Sequence, residues 1–308
     1  MLDIRKIVKY LMIFILIANF MNCYCETSKA DYSKELENLE NSRSGVIEIY
    51  IGFESDGFHM IKHVCGTVVQ NDKSTYILTL YKETSVSDDE LKKYCTENEI
   101  NKANKDDVAA YAVADDKLIK ISLKDSDKTA DIALYKTSEK IDSKIVIPIA
   151  DDSNVSKDTK VYSIGFPAKM KENTETDFYA KNTVIYSGTL TKDYNGASDT
   201  TLTYNSLVDS GTMGCPITNE KGELLGINSS FSRGQDILEY TVVSSFKIKE
   251  FLDKNKITYA NEPLTEKVAE TKSGNSVYKI GKTYSLPITG IIVLLLIVLM
   301  LLTRKREE

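Results

Sequence analysis

Histidine is almost missing from this chain of 308 residues: only His59 and His63 occur, and the five cysteines include no C-x-x-C pair. With so few soft ligands a zinc site is not expected, and no other metal or cofactor is implied. Basic clusters are lacking too. Lys and Arg number 39 against 45 acidic residues, the formal charge is −6 and the pI is near 5.3. That balance, with no Lys/Arg-rich run, argues against nucleic acid or a lipid surface as partner of the folded part. Five prolines and 15 glycines are too few for collagen, and no repeat or low-complexity tract is visible. A chain that is 42% hydrophobic and 27% charged is globular in balance, which excludes full-length disorder and coiled coil. The length fits one domain of about 200 residues with appendages, or two small domains.

What is present at the two ends sets the compartment. Residues 1–25 carry Arg5, Lys6 and Lys9, then an apolar run from Tyr10 to Phe20 broken only by Asn19. A basic start followed by a short apolar run reads as a secretory signal peptide, too short to span about 30 Å of hydrocarbon comfortably. At the other end stand Leu286-Pro287-Ile288-Thr289-Gly290, an uninterrupted apolar run from Ile291 to Leu302, and Arg304-Lys305-Arg306. The apolar run and basic tail form a stop-transfer element, a hydrophobic anchor helix with its basic end in the cytoplasm. The tripartite order resembles the wall-sorting signal of Gram-positive surface proteins, whose motif is L-P-x-T-G. That resemblance implies a sortase as processing partner, with Leu286, Pro287, Thr289 and Gly290 as its recognition residues. It implies cleavage between Thr289 and Gly290, covalent attachment to peptidoglycan, and contact with the membrane only through the end segments before processing.

Cys23 and Cys25 lie at the edge of the signal, so Cys65, Cys95 and Cys215 remain in the mature chain. Outside the membrane a disulfide is permitted. A Cys65–Cys95 bridge is one pairing, but spacing alone does not decide it.

Between residues 45 and 243 the chain reads as short strands separated by polar turns. Gly45–Ile51, Thr75–Leu80, Lys117–Leu123 and Glu223–Ile227 alternate apolar and polar residues. Ten or more such runs indicate an all-β barrel or sandwich. A charged insert, Ser87 to Asp107, reads as a solvated helix or loop. A late helix is predicted over Ser245–Lys254, because Ile248, Phe251 and Leu252 fall at i, i+3 and i+4 and Ser244 or Ser245 can cap it. Residues 256–285 read as a polar tether, whose r.m.s. span would be roughly 30 Å and full stretch roughly 100 Å.

Three segments, in order, resemble trypsin-like serine peptidases of the bacterial stress-protease and glutamyl-endopeptidase branches. Cys65-Gly66-Thr67-Val68-Val69 with Tyr76-Ile77-Leu78-Thr79 is similar to the strand pair that leads to the family's L-T-A-A-H. Ala130-Asp131-Ile132-Ala133-Leu134-Tyr135-Lys136 is similar to its D-I-A-L-L-K, followed by Val161-Tyr162-Ser163-Ile164-Gly165-Phe166-Pro167. Gly211-Thr212-Met213-Gly214-Cys215-Pro216-Ile217 stands where G-N-S-G-G-P-L belongs, and Asn219 to Asn228 matches the segment after it. The resemblance implies two six-stranded barrels with a peptide cleft between them and a C-terminal helix. The organisation becomes a signal at 1–25, an N-terminal segment at 26–42, the trypsin-like domain at 43–255, the tether at 256–285 and the sorting signal at 286–308.

The chemistry implied by the family needs a serine nucleophile, a histidine base and an aspartate that orients it. Asp131 keeps the aspartate position, but Lys82 stands at the histidine position and Met213 at the serine position. A thioether has no proton to lose, and a solvated lysine ammonium accepts none at pH 7. On this alignment no triad is intact. If Lys82 and Asp131 face each other, their pair replaces the His–Asp pair as a tie across the cleft, with Met213 plugging the old site. His59 and His63 lie ahead of the first motif and read as ordinary surface or core residues, and Cys215 lacks a base for thiol chemistry. A rival alignment takes Asp209-Ser210-Gly211 as the D-S-G, making Ser210 a nucleophile served by Lys82 or another non-standard base in an active surface endopeptidase. By the same resemblance, Asn228-Ser229-Ser230-Phe231 corresponds to the strand that pairs with substrate backbone, so without a triad this cleft edge can still bind a peptide or surface protein by strand addition.

Overall fold

The computed structural model describes residues 33–100, 103–151, 154–166, 183–206, 213–233 and 238–261. Among the described residues no helix is long and apolar enough to cross a membrane. Both end segments, including residues 1–25 and the LPITG motif with the apolar run expected to form an anchor, lie outside them, as does Ser210.

Alternation along the chain produces two closed, six-stranded antiparallel barrels. The first contains β1 (Val46–Glu54), β2 (Phe58–Asn71), β3 (Thr75–Thr79), β4 (Ala109–Ala114), β5 (Lys117–Asp127) and β6 (Ile132–Thr137). Its order is β1-β2-β3-β6-β5-β4, and β4 closes it by pairing with β1, Tyr50 opposite Tyr111. A two-stranded sheet pairs β7 (Asn154–Val155) with β10 (Tyr194–Asn195). The second barrel contains β8 (Lys160–Gly165), β9 (Val184–Leu190), β11 (Thr201–Ser206), β12 (Pro216–Thr218), β13 (Leu224–Arg233) and β14 (Leu238–Ser244). Its order is β11-β14-β13-β12-β8-β9, and β9 closes it on β11.

Several strands in these barrels bury both faces, each face in a different core. On β3 and β6, Ile77, Ala133 and Tyr135 fill the first barrel, while Leu78, Ile132 and Leu134, with Leu80 just past β3, point to the seam between the barrels. On β8, β13 and β14, Val161, Leu225 and Val242 fill the second barrel, while Ile164, Leu224, Ile227 and Val243 meet the same seam. Period-2 patterning thus serves two cores at once.

The helices follow local chemistry. A helix over residues 33–43, α1, precedes β1 and buries Leu39. Its Ser42 Oγ donates to the Gly222 carbonyl at 2.8 Å, which fixes it to the second barrel. A single turn, α2 (Tyr81–Thr84), follows β3. The charged insert holds α3 (Asp88–Glu97), started by a capping box in which the Glu90 N–H donates to Ser87 Oγ and the Ser87 N–H to Glu90 Oε2. The Ser87 N–H and then Lys62 hold the Glu90 carboxyl down to about 2. The predicted late helix is α4 (Ser245–Lys254), with Ser244 as its cap and Ile248, Phe251 and Leu252 buried. The fold continues past the expected boundary at 255. Ile257 is buried in the seam and the Ala260 carbonyl accepts from the Ile149 N–H at 2.7 Å, so a polar tether cannot begin at 256.

Candidate functional site

Hydrogen bonding between β3 and β6 brings the end of one beside the start of the other, with Thr79 opposite Ala133. Lys82, in α2 just past β3, therefore meets Asp131, just ahead of β6. The Lys82 N–H donates to Asp131 Oδ1 at 2.8 Å, and Lys82 Nζ lies 3.7 Å from Asp131 Oδ2. The Tyr81 N–H donates to the Asp131 carbonyl at 3.4 Å. Asp131 is 7% exposed and sits in the left-handed region at φ +59°, a conformation unfavourable for a residue with a Cβ. The Lys82 side chain is 73% exposed, so the ammonium–carboxylate contact contributes about 0–1 kcal/mol. The buried carboxylate accepting a backbone N–H is the firmer link, because losing it strands a donor at about 1–3 kcal/mol.

Lys82 and Asp131 both belong to the first barrel. Their pair closes α2 onto β6 and does not tie the two barrels across the cleft, because β3 and β6 are neighbours in one sheet. The tie between barrels runs through residue 213. The Cys65 N–H on β2 donates to the Met213 carbonyl at 3.3 Å, and Thr79 Oγ1 donates to the Cys65 carbonyl at 2.7 Å. Gly214 follows at φ +77°, and a Cβ there would stand 2.4 Å from the Cys65 carbonyl oxygen. Glycine is required both by the backbone and by the approach. The Gly214 N–H donates to the Asn228 carbonyl and the Asn228 N–H to the Cys215 carbonyl. The Met213 side chain is partly buried against the seam core.

Beside this junction lies a cavity of about 390 Å³ between the barrels. The first barrel lines it with Lys82, Asp127, Thr129, Ala130 and Asp131, and the second with Thr200, Thr201, Ser229, Ser230 and Val243, joined by Lys247 of α4. Sequence reading reached Lys82, Asp131, Ser229 and Ser230. It missed Thr129, Thr200, Thr201 and Lys247, whose only local signal was the adjacency of Thr129 to the aspartate motif. Hydroxyls, ammonium groups and carboxylates here offer donors and acceptors to a polar backbone.

The four residues read as a cleft edge divide. Asn228 is fully buried inside the second barrel, its Nδ2 donating to Tyr204 O–H at 2.9 Å and Ser163 Oγ at 3.2 Å, and its backbone is engaged by Gly214 and Cys215 on one side and by β14 on the other. It is not part of the edge. Ser229 and Ser230 line the cavity, and Phe231 is 42% exposed. Since β12 pairs with β13 only as far as Ile227, the edge of β13 from residue 229 to 233 pairs no strand on that side among the described residues.

Neither histidine approaches Asp131. His59 Nε2 lies 2.7 Å from the Ser55 carbonyl, and His63 Nε2 lies 2.7 Å from Glu48 Oε1. Among the described residues no cluster of three or more His, Cys, Asp or Glu side chains is placed to hold a metal ion. The Cys65–Cys95 bridge is not formed. Cys65 faces the seam core from β2, whereas Cys95 is half-buried on α3, so the two side chains occupy different environments.

A family model described as Trypsin-like peptidase domain matches residues 65–227. No curated protein matches the chain.

Proposed function

The chain belongs to the trypsin-like peptidase family, and from that premise we propose that it is a member without peptidase chemistry, anchored to a cell wall, whose inter-barrel cleft holds a peptide or protein strand. The observation that carries this reading is the setting of Asp131. The partner at its carboxylate is residue 82, a lysine, through both backbone N–H and side chain. Both histidines of the chain are engaged elsewhere. With a thioether at 213 and an ammonium at 82, nothing at these positions supplies a nucleophile or accepts its proton.

Binding needs less. The edge of β13 that pairs no strand among the described residues supplies backbone groups for strand addition, and the cavity flanked by Ser229, Ser230 and Lys82 receives side chains. The rival reading, an endopeptidase using Ser210 with Lys82, is tested by a fluorophosphonate probe on the intact chain. The expected result is no label, and no difference between wild type and Ser210→Ala. A label on the wild type that disappears in Ser210→Ala would overturn the inactive reading.

Anchoring rests on the order L-P-I-T-G, apolar run and basic tail. Thr289→Ala is expected to move the protein from the wall fraction to the membrane fraction, as read by cell fractionation and immunoblot. An unchanged wall fraction would reject attachment by transpeptidation at that bond.

A further inference from the structure

Two thiols from different barrels meet in the seam. Cys65 comes from β2 and Cys215 immediately precedes β12, and they are 2% and 0% exposed. Both belong to the one hydrophobic cluster that the barrels share. Backbone contacts hold the two segments together around them: the Cys65 N–H donates to the Met213 carbonyl at 3.3 Å, and Gly214 leaves no room for a Cβ beside the Cys65 carbonyl. Burial pushes the Cys65 thiol well above its usual range, and its hydrogen-bond contact with the Cys215 thiol pushes it further. Cys95 stands apart from this pair on α3.

We propose that Cys65 and Cys215 form a disulfide that locks the first barrel to the second, made by exchange with an external disulfide of the glutathione type. One protein thiol loses its proton, and its thiolate attacks a sulfur of the external disulfide and releases one external thiolate. The second protein thiolate then attacks the mixed disulfide, closing the Cys65–Cys215 bond and releasing the other external thiolate. The two protein thiols are oxidised, the external disulfide is reduced to two thiols, and the two protons pass to the released thiolates. The bond requires the two sulfurs to stand about 2.0 Å apart. Burial places the exchange during folding or local opening of the seam, when a thiolate can reach the oxidant. Because the bond encloses about 150 residues, it constrains the unfolded chain strongly. This inference does not rest on the proposed function: a peptidase and a binding module would carry the same lock.

The test is oxidative refolding of the full chain, solubilised in detergent, from reduced urea solution with oxidised and reduced glutathione, followed by a non-reducing peptide map. The expected map contains a peptide linking Cys65 to Cys215 and leaves Cys95 open to alkylation. The urea midpoint of the oxidised protein is expected to rise by roughly 1 M over the reduced protein. That rise disappears in Cys65→Ala and Cys215→Ala, which keep the core apolar, and persists in Cys95→Ser. If the alanine variants do not fold, the wild-type map alone decides. A map with no Cys65–Cys215 peptide, or with either residue joined to Cys95, overturns the proposal.

Discussion

Lys82→His combined with Met213→Ser is expected to convert a chain inert toward fluorophosphonate into one labelled at position 213, whereas neither single substitution does so. The side chain at 82 already reaches the second carboxylate oxygen of Asp131, while the first oxygen holds the backbone N–H of residue 82. An imidazole at 82 would therefore find its orienting partner in place. Residue 213 is held at the same end of the seam through Cys65 and Thr79, the residue that closes β3 three positions before Lys82. Members of a triad act as a unit, so removing one costs nearly as much as removing several. The same non-additivity makes either single restoration silent, and the double variant is expected to exceed the singles in labelling rate by up to about 10⁴. Label intensity after gel separation, with the modified peptide mapped, reads this directly. A double variant indistinguishable from the singles would sink the assignment of 82 and 213 to the base and nucleophile positions.

Gly214→Ala is expected to destabilise the protein by about 2–5 kcal/mol. A residue with a Cβ at φ +77° costs about 1–2 kcal/mol in the left-handed region. The added carbon would stand 2.4 Å from the Cys65 carbonyl oxygen and 2.9 Å from Thr79 Oγ1. Both are fixed, since Thr79 Oγ1 is bonded to that carbonyl and both residues lie in paired strands. The clash must therefore move backbone, and crowding of a packed core adds about 1–3 kcal/mol. Urea unfolding followed by far-ultraviolet circular dichroism measures the loss. A change below about 0.5 kcal/mol would show that the segment from 213 to 215 relaxes freely and does not stitch the barrels.

Much of the fold was legible because local patterns answered to local forces. The alternation in Thr75–Leu80 and Lys117–Leu123 became β3 and β5, and the i, i+3, i+4 spacing after a serine became α4 with Ser244 as cap. What escaped depends on partners distant in sequence. Cys65 meets Cys215 only because two closed barrels dock, a relation no spacing between cysteines encodes. Asn228 lies in the segment read by resemblance as a cleft edge, yet its amide is claimed by Tyr204 and Ser163 from other strands. Lys82 and Asp131 were legible as a pair, but their placement within one barrel follows from β3–β6 pairing. The helix over residues 33–43 was read only as a segment, because the hydrogen bond that fixes it joins Ser42 to the carbonyl of Gly222, 180 positions away.

Burial of both strand faces has a consequence for how this molecule can be divided. A fragment ending near residue 151 would leave Leu78, Leu80, Ile132 and Leu134 facing water, each side chain forfeiting about 1.5–3 kcal/mol of burial. The complementary fragment would strand Ile164, Ile227 and Val243 in the same way. Neither half is an autonomous folding unit, so excision, swapping or independent duplication of one barrel would yield a sticky product, and heritable change at the shared wall has to satisfy both halves together.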